Sequence, residues 1–174
     1  TGLEFEAKKS LKALGSHHIF NSLNVFFNAT LIYSRVKLYQ DIAAEQSNNR
    51  PLQGQSPYVV NGGLNYNNAA RDLQLNLLYN VLGKRIYAVG NNYGYQYPDW
   101  YEMPRNVVDL TFSKGINKKI TVKGGISDIL NAKYLVLQDG NQDAKFNRKS
   151  DQTIQSYRPG SVYSLSIIYA LNKN

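Results

Sequence analysis

Leu73-Gln74-Leu75-Asn76-Leu77-Leu78-Tyr79 alternates apolar and polar side chains, and Tyr163-Ser164-Leu165-Ser166-Ile167-Ile168-Tyr169 repeats the pattern near the C-terminus. Successive side chains of a strand point to opposite faces, so a period of two means a strand with one apolar and one polar face. Seven stretches of the chain read this way, at about 2–9, 21–38, 57–67, 72–82, 106–114, 118–130 and 161–172. In the first, Leu3, Phe5 and Ala7 oppose Glu4, Glu6 and Lys8. In the second, Leu23, Val25, Phe27, Ala29, Leu31 and Tyr33 oppose Asn24, Asn28, Thr30 and Ser34, with Phe26 and Ile32 as exceptions. The third sets Tyr58, Val60, Leu64 and Tyr66 against Asn61 and Asn65, and the remaining strands divide in the same manner.

The connections alternate in length. Asn67–Arg71 and Lys114–Asn117 are tight, and Ser10–Phe20 is somewhat longer, with Leu11, Leu14 and Ile19 placed to prolong the flanking strands. The stretches 39–56, 83–105 and 131–158 are long and polar. Long structureless loops are foreign to an ordinary compact domain. Tight turns at one end and long loops at the other describe the wall of a transmembrane β-barrel, with the long loops extracellular and the C-terminus periplasmic. Tyr58 and Tyr66 stand eight residues apart on one face. That is about 27 Å along the strand and about 20 Å of depth after tilting, near the ~25 Å apolar band of outer-membrane barrels.

Composition agrees. The chain has 174 residues, enough for one domain, and only 43% are apolar. No run of eighteen apolar residues occurs, so no transmembrane helix is expected; barrel strands turn only half their residues to lipid. The 14 tyrosines suit an interfacial girdle, where the ring meets the lipid boundary and the hydroxyl stays wet. The absence of cysteine excludes a disulfide scaffold and thiolate metal sites. The net charge of +8 is scattered over turns and loops, which reads as solvated surface rather than a nucleic-acid patch. The chain begins Thr1-Gly2 without methionine or signal peptide, and is expected to be a processed product or a fragment.

Seven strands cannot close as an even-stranded bacterial barrel, and an open wall in lipid would leave two edges of unpaired backbone. Either an eighth strand exists or the chain is a sector of something larger. The motifs at the strand ends favour the second option. Leu52-Gln53-Gly54-Gln55-Ser56-Pro57-Tyr58-Val59-Val60-Asn61 precedes one strand, and Tyr79-Asn80-Val81-Leu82-Gly83-Lys84-Arg85-Ile86 ends the next. Glu102-Met103-Pro104-Arg105-Asn106-Val107-Val108-Asp109-Leu110, Ser127-Asp128-Ile129-Leu130-Asn131-Ala132-Lys133-Tyr134 and Tyr157-Arg158-Pro159-Gly160 follow in order. This succession resembles the C-terminal barrel portion of TonB-dependent outer-membrane receptors, particularly those with an N-terminal carboxypeptidase-regulatory-like domain. The resemblance runs over nearly the whole chain and is densest from Leu52 to Tyr169. It implies an all-β, antiparallel transmembrane barrel of about 22 strands, of which residues 1–174 supply roughly the last seven or eight.

The plug domain and TonB box are not in this sequence. The resemblance implies uptake of a nutrient ligand, no catalysis and no cofactor. The implied partners are outer-membrane lipid, the remaining barrel and plug, and the TonB complex reached through N-terminal parts; a surface lipoprotein lid is left open. The chain departs from the usual terminal aromatic by ending Tyr169-Ala170-Leu171-Asn172-Lys173-Asn174, so Tyr169 is expected to take that role. A small self-contained eight-stranded barrel with a structural or adhesive role is the alternative, its extra strand coming from a split of the second or from Tyr87–Tyr97. A soluble β-sandwich is a third.

Within the long connections, Tyr93, Tyr95, Tyr97, Trp100 and Tyr101 form the best ligand-contact candidate, because aromatic faces stack on sugars, peptides or chelates while polar atoms orient them. The bland reading of the same residues is an aromatic cluster packing the loop over the barrel rim. Asp139-Gly140-Asn141-Gln142-Asp143 begins like a calcium loop, but Ala144 and Ser150 stand where glycine and glutamate are needed. His17 and His18 are adjacent, so on a strand they would face opposite ways. Gly83-Lys84-Arg85 lacks the upstream glycine spacing of a P-loop, and the Asn28-Ala29-Thr30 sequon lies mid-strand. Asp99 and Glu102, three apart, have no supporting catalytic motif.

Overall fold

The computed structural model describes residues 1–15, 19–39, 49–91, 97–141 and 145–171. The protein is all-β and antiparallel, with only three short 3-10 turns, Leu11–Leu14, Phe20–Ser22 and Ala69–Arg71, among the described residues. Seven long strands build one sheet: β1 (Gly2–Ser10), β2 (Leu23–Ile32), β3 (Tyr58–Asn68), β4 (Leu73–Leu82), β7 (Arg105–Gly115), β8 (Ile120–Ser127) and β11 (Val162–Tyr169). Their spatial order follows the chain, β1-β2-β3-β4-β7-β8-β11, each strand paired with the one before it. β1 and β11 are the two edges, and the sheet is open.

The register carries the alternation from strand to strand. One row runs Lys9–Val25–Leu64–Leu77–Leu110–Ile126–Tyr163. The next runs Leu23–Tyr66–Leu75–Phe112–Gly124–Leu165. A one-residue slip at any pair would have broken these rows, because it exchanges the two faces of a strand. Phe26, the exception on the polar face, is accommodated by Gly63 opposite it: a Cβ at Gly63 would lie 2.3 Å from the Phe26 ring.

Nothing among the described residues covers the apolar face. Leu165 is 73% exposed and Leu3 68%, whereas an ordinary sheet buries such residues under a second layer. The accessible surface is 12,072 Å², against about 8,600 Å² for a compact monomer of this mass. Among the described residues, the buried apolar side chains are Val81, Ile86, Val136 and Leu137, at the long-loop end.

The long connections depart from expectation there. Two of them, 83–105 and 131–158, are not structureless: they hold β5 (Arg85–Ala88), β6 (Trp100–Glu102), β9 (Tyr134–Gln138) and β10 (Gln152–Tyr157), a second sheet of order β10-β9-β6-β5. This order matches that of β11, β8, β7 and β4, from which the four short strands continue, so the second sheet extends those two hairpins. β9 was missed because Tyr134-Leu135-Val136-Leu137 is apolar without alternation, the pattern of a strand covered on both faces. Leu52–Pro57 covers β5: Gly54 N–H donates to Ile86 O at 2.9 Å, and Ser56 Oγ donates to Gly83 O at 3.0 Å.

Two further expectations fail. The strand predicted over 21–38 ends at Ile32, with only a Val36–Arg50 bridge beyond it. Leu11 and Leu14 do not prolong β1 but enter a 3-10 turn, because Ser10 accepts the Lys12 N–H and caps it. Among the described residues, neither a split of β2 nor the part of Tyr87–Tyr97 that is described gives the large sheet an eighth strand; β5, which contains Tyr87, pairs with β6 instead.

Candidate functional site

Three structures concentrate polar or aromatic chemistry. The first is the polar face of the large sheet. There Asn80 Nδ2 donates to Asn61 Oδ1 at 2.5 Å, Asn61 Nδ2 to Asn28 Oδ1 at 3.4 Å, and Asn28 Nδ2 to Glu4 Oε1 at 2.9 Å. A second ladder runs from Asn65 to Asn76 (2.6 Å) and on to Thr111 Oγ1 (3.0 Å). The interior rungs Asn28, Asn61 and Asn76 each use one donor and one acceptor laterally, leaving a second N–H and lone pair for water or a solute. Beside the second ladder lies a recess of about 380 Å³, lined by Gln74, Asn76, Thr111, Ser113, Lys123 and Ser164. Asn28 of the sequon is therefore a rung of the first ladder.

The second is the aromatic group in the upper sheet. Tyr93 and Tyr95 lie outside the described residues, as do His17, His18 and part of the Asp139–Asp143 stretch. Tyr97 exchanges backbone hydrogen bonds with Asn91 at 2.8 and 3.1 Å and is 59% exposed. Trp100 pairs with Ala88 and Gln138, Tyr101 with Ile86 and Leu137. Being adjacent on β6, they point to opposite faces and do not share one ligand surface. Tyr101 instead packs at a 58° tilt against Phe146, ring centroids 4.8 Å apart, with Lys84 Nζ over both rings at 5.1 and 3.9 Å. The sequence weighs Lys84 only within Gly83-Lys84-Arg85 and does not single out Phe146; a cation–π contact between residues so far apart has no local signature. Tyr101, Lys84, Tyr33, Gln55 and Arg85 line a cleft of about 260 Å³, below the ~300–1,000 Å³ of complete small-molecule sites. It can receive one ring or one anionic group.

The carboxylates flanking this group are engaged by different partners. Asp99 Oδ1 accepts the Gly90 N–H at 2.8 Å, while Glu102 Oε2 accepts Arg85 Nε and Nη2 at 2.9 and 2.7 Å. Gly90 is needed at this spot, since a Cβ would fall 1.9 Å from the Tyr97 carbonyl oxygen. Gly90→Ala is expected to displace the Tyr97–Asp99 backbone, costing about 1–3 kcal/mol, and to raise limited proteolysis within 89–99 severalfold.

Burial shifts the phenols. It pushes Tyr101 above the ordinary tyrosine range, with Asp99 and Asp139 adding to the shift and Arg50 opposing it. Tyr134, 5.0 Å from the Tyr157 ring, is raised by burial and then by Glu102. Burial lowers Lys84, against the pull of Asp139. A raised phenol favours the fold below its unfolded pKa and loses that contribution as pH rises through its folded value. Tyrosinate absorbance should therefore show a late-ionising fraction, with Tyr101→Phe and Tyr134→Phe each removing one phenol's share of it. Unaltered late amplitude in both variants would count against these assignments.

The third is a knot built on Asp128-Ile129-Leu130-Asn131. Asp128 and Asn131 are both left-handed, at φ 51° and 45°, a conformation that aspartate and asparagine tolerate best among non-glycine residues. Asp128 N–H donates to Asp109 Oδ1 (2.8 Å), Asp128 Oδ1 accepts Ala132 N–H (2.9 Å), and Ser161 Oγ donates to Asp128 O (2.6 Å). Asn131 Oδ1 accepts Gly160 N–H (3.0 Å), Asn131 O accepts Arg158 Nη1 (2.5 Å), and Arg105 Nη1 stands 3.9 Å from Asp128 Oδ2. The knot ties β7, β8 and the start of β11 together below the upper sheet.

Comparison of the chain with protein-family models, characterised proteins and solved structures gave no match.

Proposed function

We propose that the seven-stranded sheet is a sector of an outer-membrane β-barrel, the C-terminal part of the wall of a TonB-dependent import receptor. The carrying observation is the apolar face: seven strands in register present a continuous apolar surface with no protein layer over it. Lipid hydrocarbon is the environment in which such a face is stable. The amide ladders suit the opposite face to a wet lumen.

The stagger of the strands supports the same reading. The row starting at Ser10, the last residue of β1, passes Asn24, Asn65, Asn76, Thr111 and Gly125 and reaches Ser164, five residues short of Tyr169. Five residues at ~3.4 Å against six strand spacings of ~4.8 Å give a tilt of about 30° if the short turns share a plane, close to the ~35–45° of membrane barrels. A small closed barrel would pair β1 with β11, whereas these strands are opposite edges here; that supports a sector of a larger wall.

In this reading residues 1–171 contribute wall, lumen lining and outer loops, with the upper sheet continuing the wall outside the bilayer and the C-terminus periplasmic. A nutrient ligand is held by outer loops and plug, and TonB supplies the energy that rearranges the plug. Phase partition tests the first half: the full-length protein should enter the detergent phase, and recovery in the aqueous phase would favour a soluble β-sandwich. Capture of the detergent-solubilised protein by a TonB C-terminal domain tests the second half; a barrel that is never captured is not a receptor of this type.

A further inference from the structure

Three connections far apart in sequence lie side by side along the short-turn end of the sheet. They bring together Lys8, Lys9 and Lys12, then Arg71, then Lys114, Lys118 and Lys119. Among the described residues, two carboxylates stand near this end, against seven cations. Glu6 pairs with Lys8 at 2.6 Å, and the Asp72 carboxylate lies over Gly115, where a Cβ would meet it. Among the described residues, no ion pair engages Lys9, Lys12, Lys118 or Lys119. Scattered in the sequence, these charges read as solvated turns; the fold collects them into a rim.

Their placement on the two faces adds a second observation. Within the seven strands the apolar face carries two cations, Lys9 and Lys114, each the penultimate residue of its strand. Lys9 pairs with Val25, and Lys114 with Leu73 and Val122. Lys114 Nζ donates to the Arg71 carbonyl in the neighbouring turn, past the end of the apolar band, and Lys9 stands at the same level of that face, where a long cationic side chain can meet a headgroup layer. At the other end, the same face finishes in Tyr58 and Tyr163, without Lys or Arg. The asymmetry distinguishes the two leaflets.

We infer that this rim binds the phosphates of anionic glycerophospholipids in the leaflet at the short-turn end. The inference rests on the bilayer reading and goes beyond it, since a barrel wall needs hydrocarbon but no particular headgroup. Lys/Arg near an anionic surface attracts it by about fivefold in affinity per charge, and neutral headgroups gain nothing comparable.

The test uses the full-length protein reconstituted in vesicles of equimolar phosphatidylethanolamine and phosphatidylglycerol, re-extracted in mild detergent, with the retained lipids quantified. Wild type should retain phosphatidylglycerol in excess over phosphatidylethanolamine. A variant with Lys9, Lys12, Lys118 and Lys119 changed to Gln should lose about fivefold or more of that excess. A control with Lys37, Lys133, Arg148 and Lys149 changed to Gln, at the opposite end, should keep it. Equal retention of the two lipids by an inserted wild type overturns the rim alone, as does equal loss in both variants. A wild type that never enters the vesicles overturns the bilayer reading and the rim with it.

Discussion

Leu165→Arg is expected to destabilise the inserted protein by about 2–4 kcal/mol, the cost of a cationic side chain on the lipid face near the bilayer midplane. Ser166→Arg, one residue away on the polar face, should change stability by less than about 0.5 kcal/mol. Leu165 sits four residues from Tyr169, where β11 meets the turn between β7 and β8. That is about 14 Å along the strand and about 11 Å of depth, close to the middle of a ~25 Å apolar band. Leu165 is already 73% exposed, so in an aqueous protein arginine there would be a surface change of no consequence. The two environments therefore predict different results from one pair of variants. Guanidinium unfolding of the full-length protein from phospholipid vesicles reads the difference, and equal effects of the two variants would remove lipid from the apolar face.

The seven strands were legible because their alternation lasts eight to eleven residues, long enough to fix both element and face. The apolar residues assigned to one side of each strand pair with one another across the sheet. The upper sheet was not legible for the opposite reason. β6 spans three residues and β5 four, too short for a period to register, and β9 is buried at Val136 and Leu137, which face opposite ways. Of the aromatic candidates, Tyr101 was found by composition, but its partners Lys84 and Phe146 come from other connections, and only the fold brings them within reach. Trp100 was grouped with Tyr101 because they are neighbours in sequence, which on a strand is what separates them. The Asp128–Asn131 motif was visible as residue types, while its hydrogen bonds to Asp109, Gly160 and Ser161 depend on strands 19 to 33 residues away.

Asp128 offers the second large effect. Asp128→Ala removes the acceptor of the Ala132 N–H, removes the carboxylate facing Arg105, and leaves alanine at φ 51°. An orphaned, part-buried N–H costs about 1–3 kcal/mol, and the left-handed conformation about 1–2 kcal/mol more for alanine. Together these predict a loss of about 3 kcal/mol, with partial overlap between them. Asp128→Asn keeps the Oδ1 acceptor and tolerates the conformation, so it gives up only the charge facing Arg105, about 1 kcal/mol. Asp128→Gly relieves the backbone but not the missing acceptor, and should fall between the two. The order Asn, Gly, Ala separates the knot from a simple ion pair, for which all three would be alike. Because Asp128 N–H is held by Asp109 and Asp128 O by Ser161, loosening it should free the base of β9 and β10 before the large sheet. Proteolysis within 139–151 should then accelerate in Asp128→Ala at denaturant concentrations where the lower strands remain protected. Simultaneous loss of both regions would mean that the knot fastens the wall as a whole rather than its outer storey.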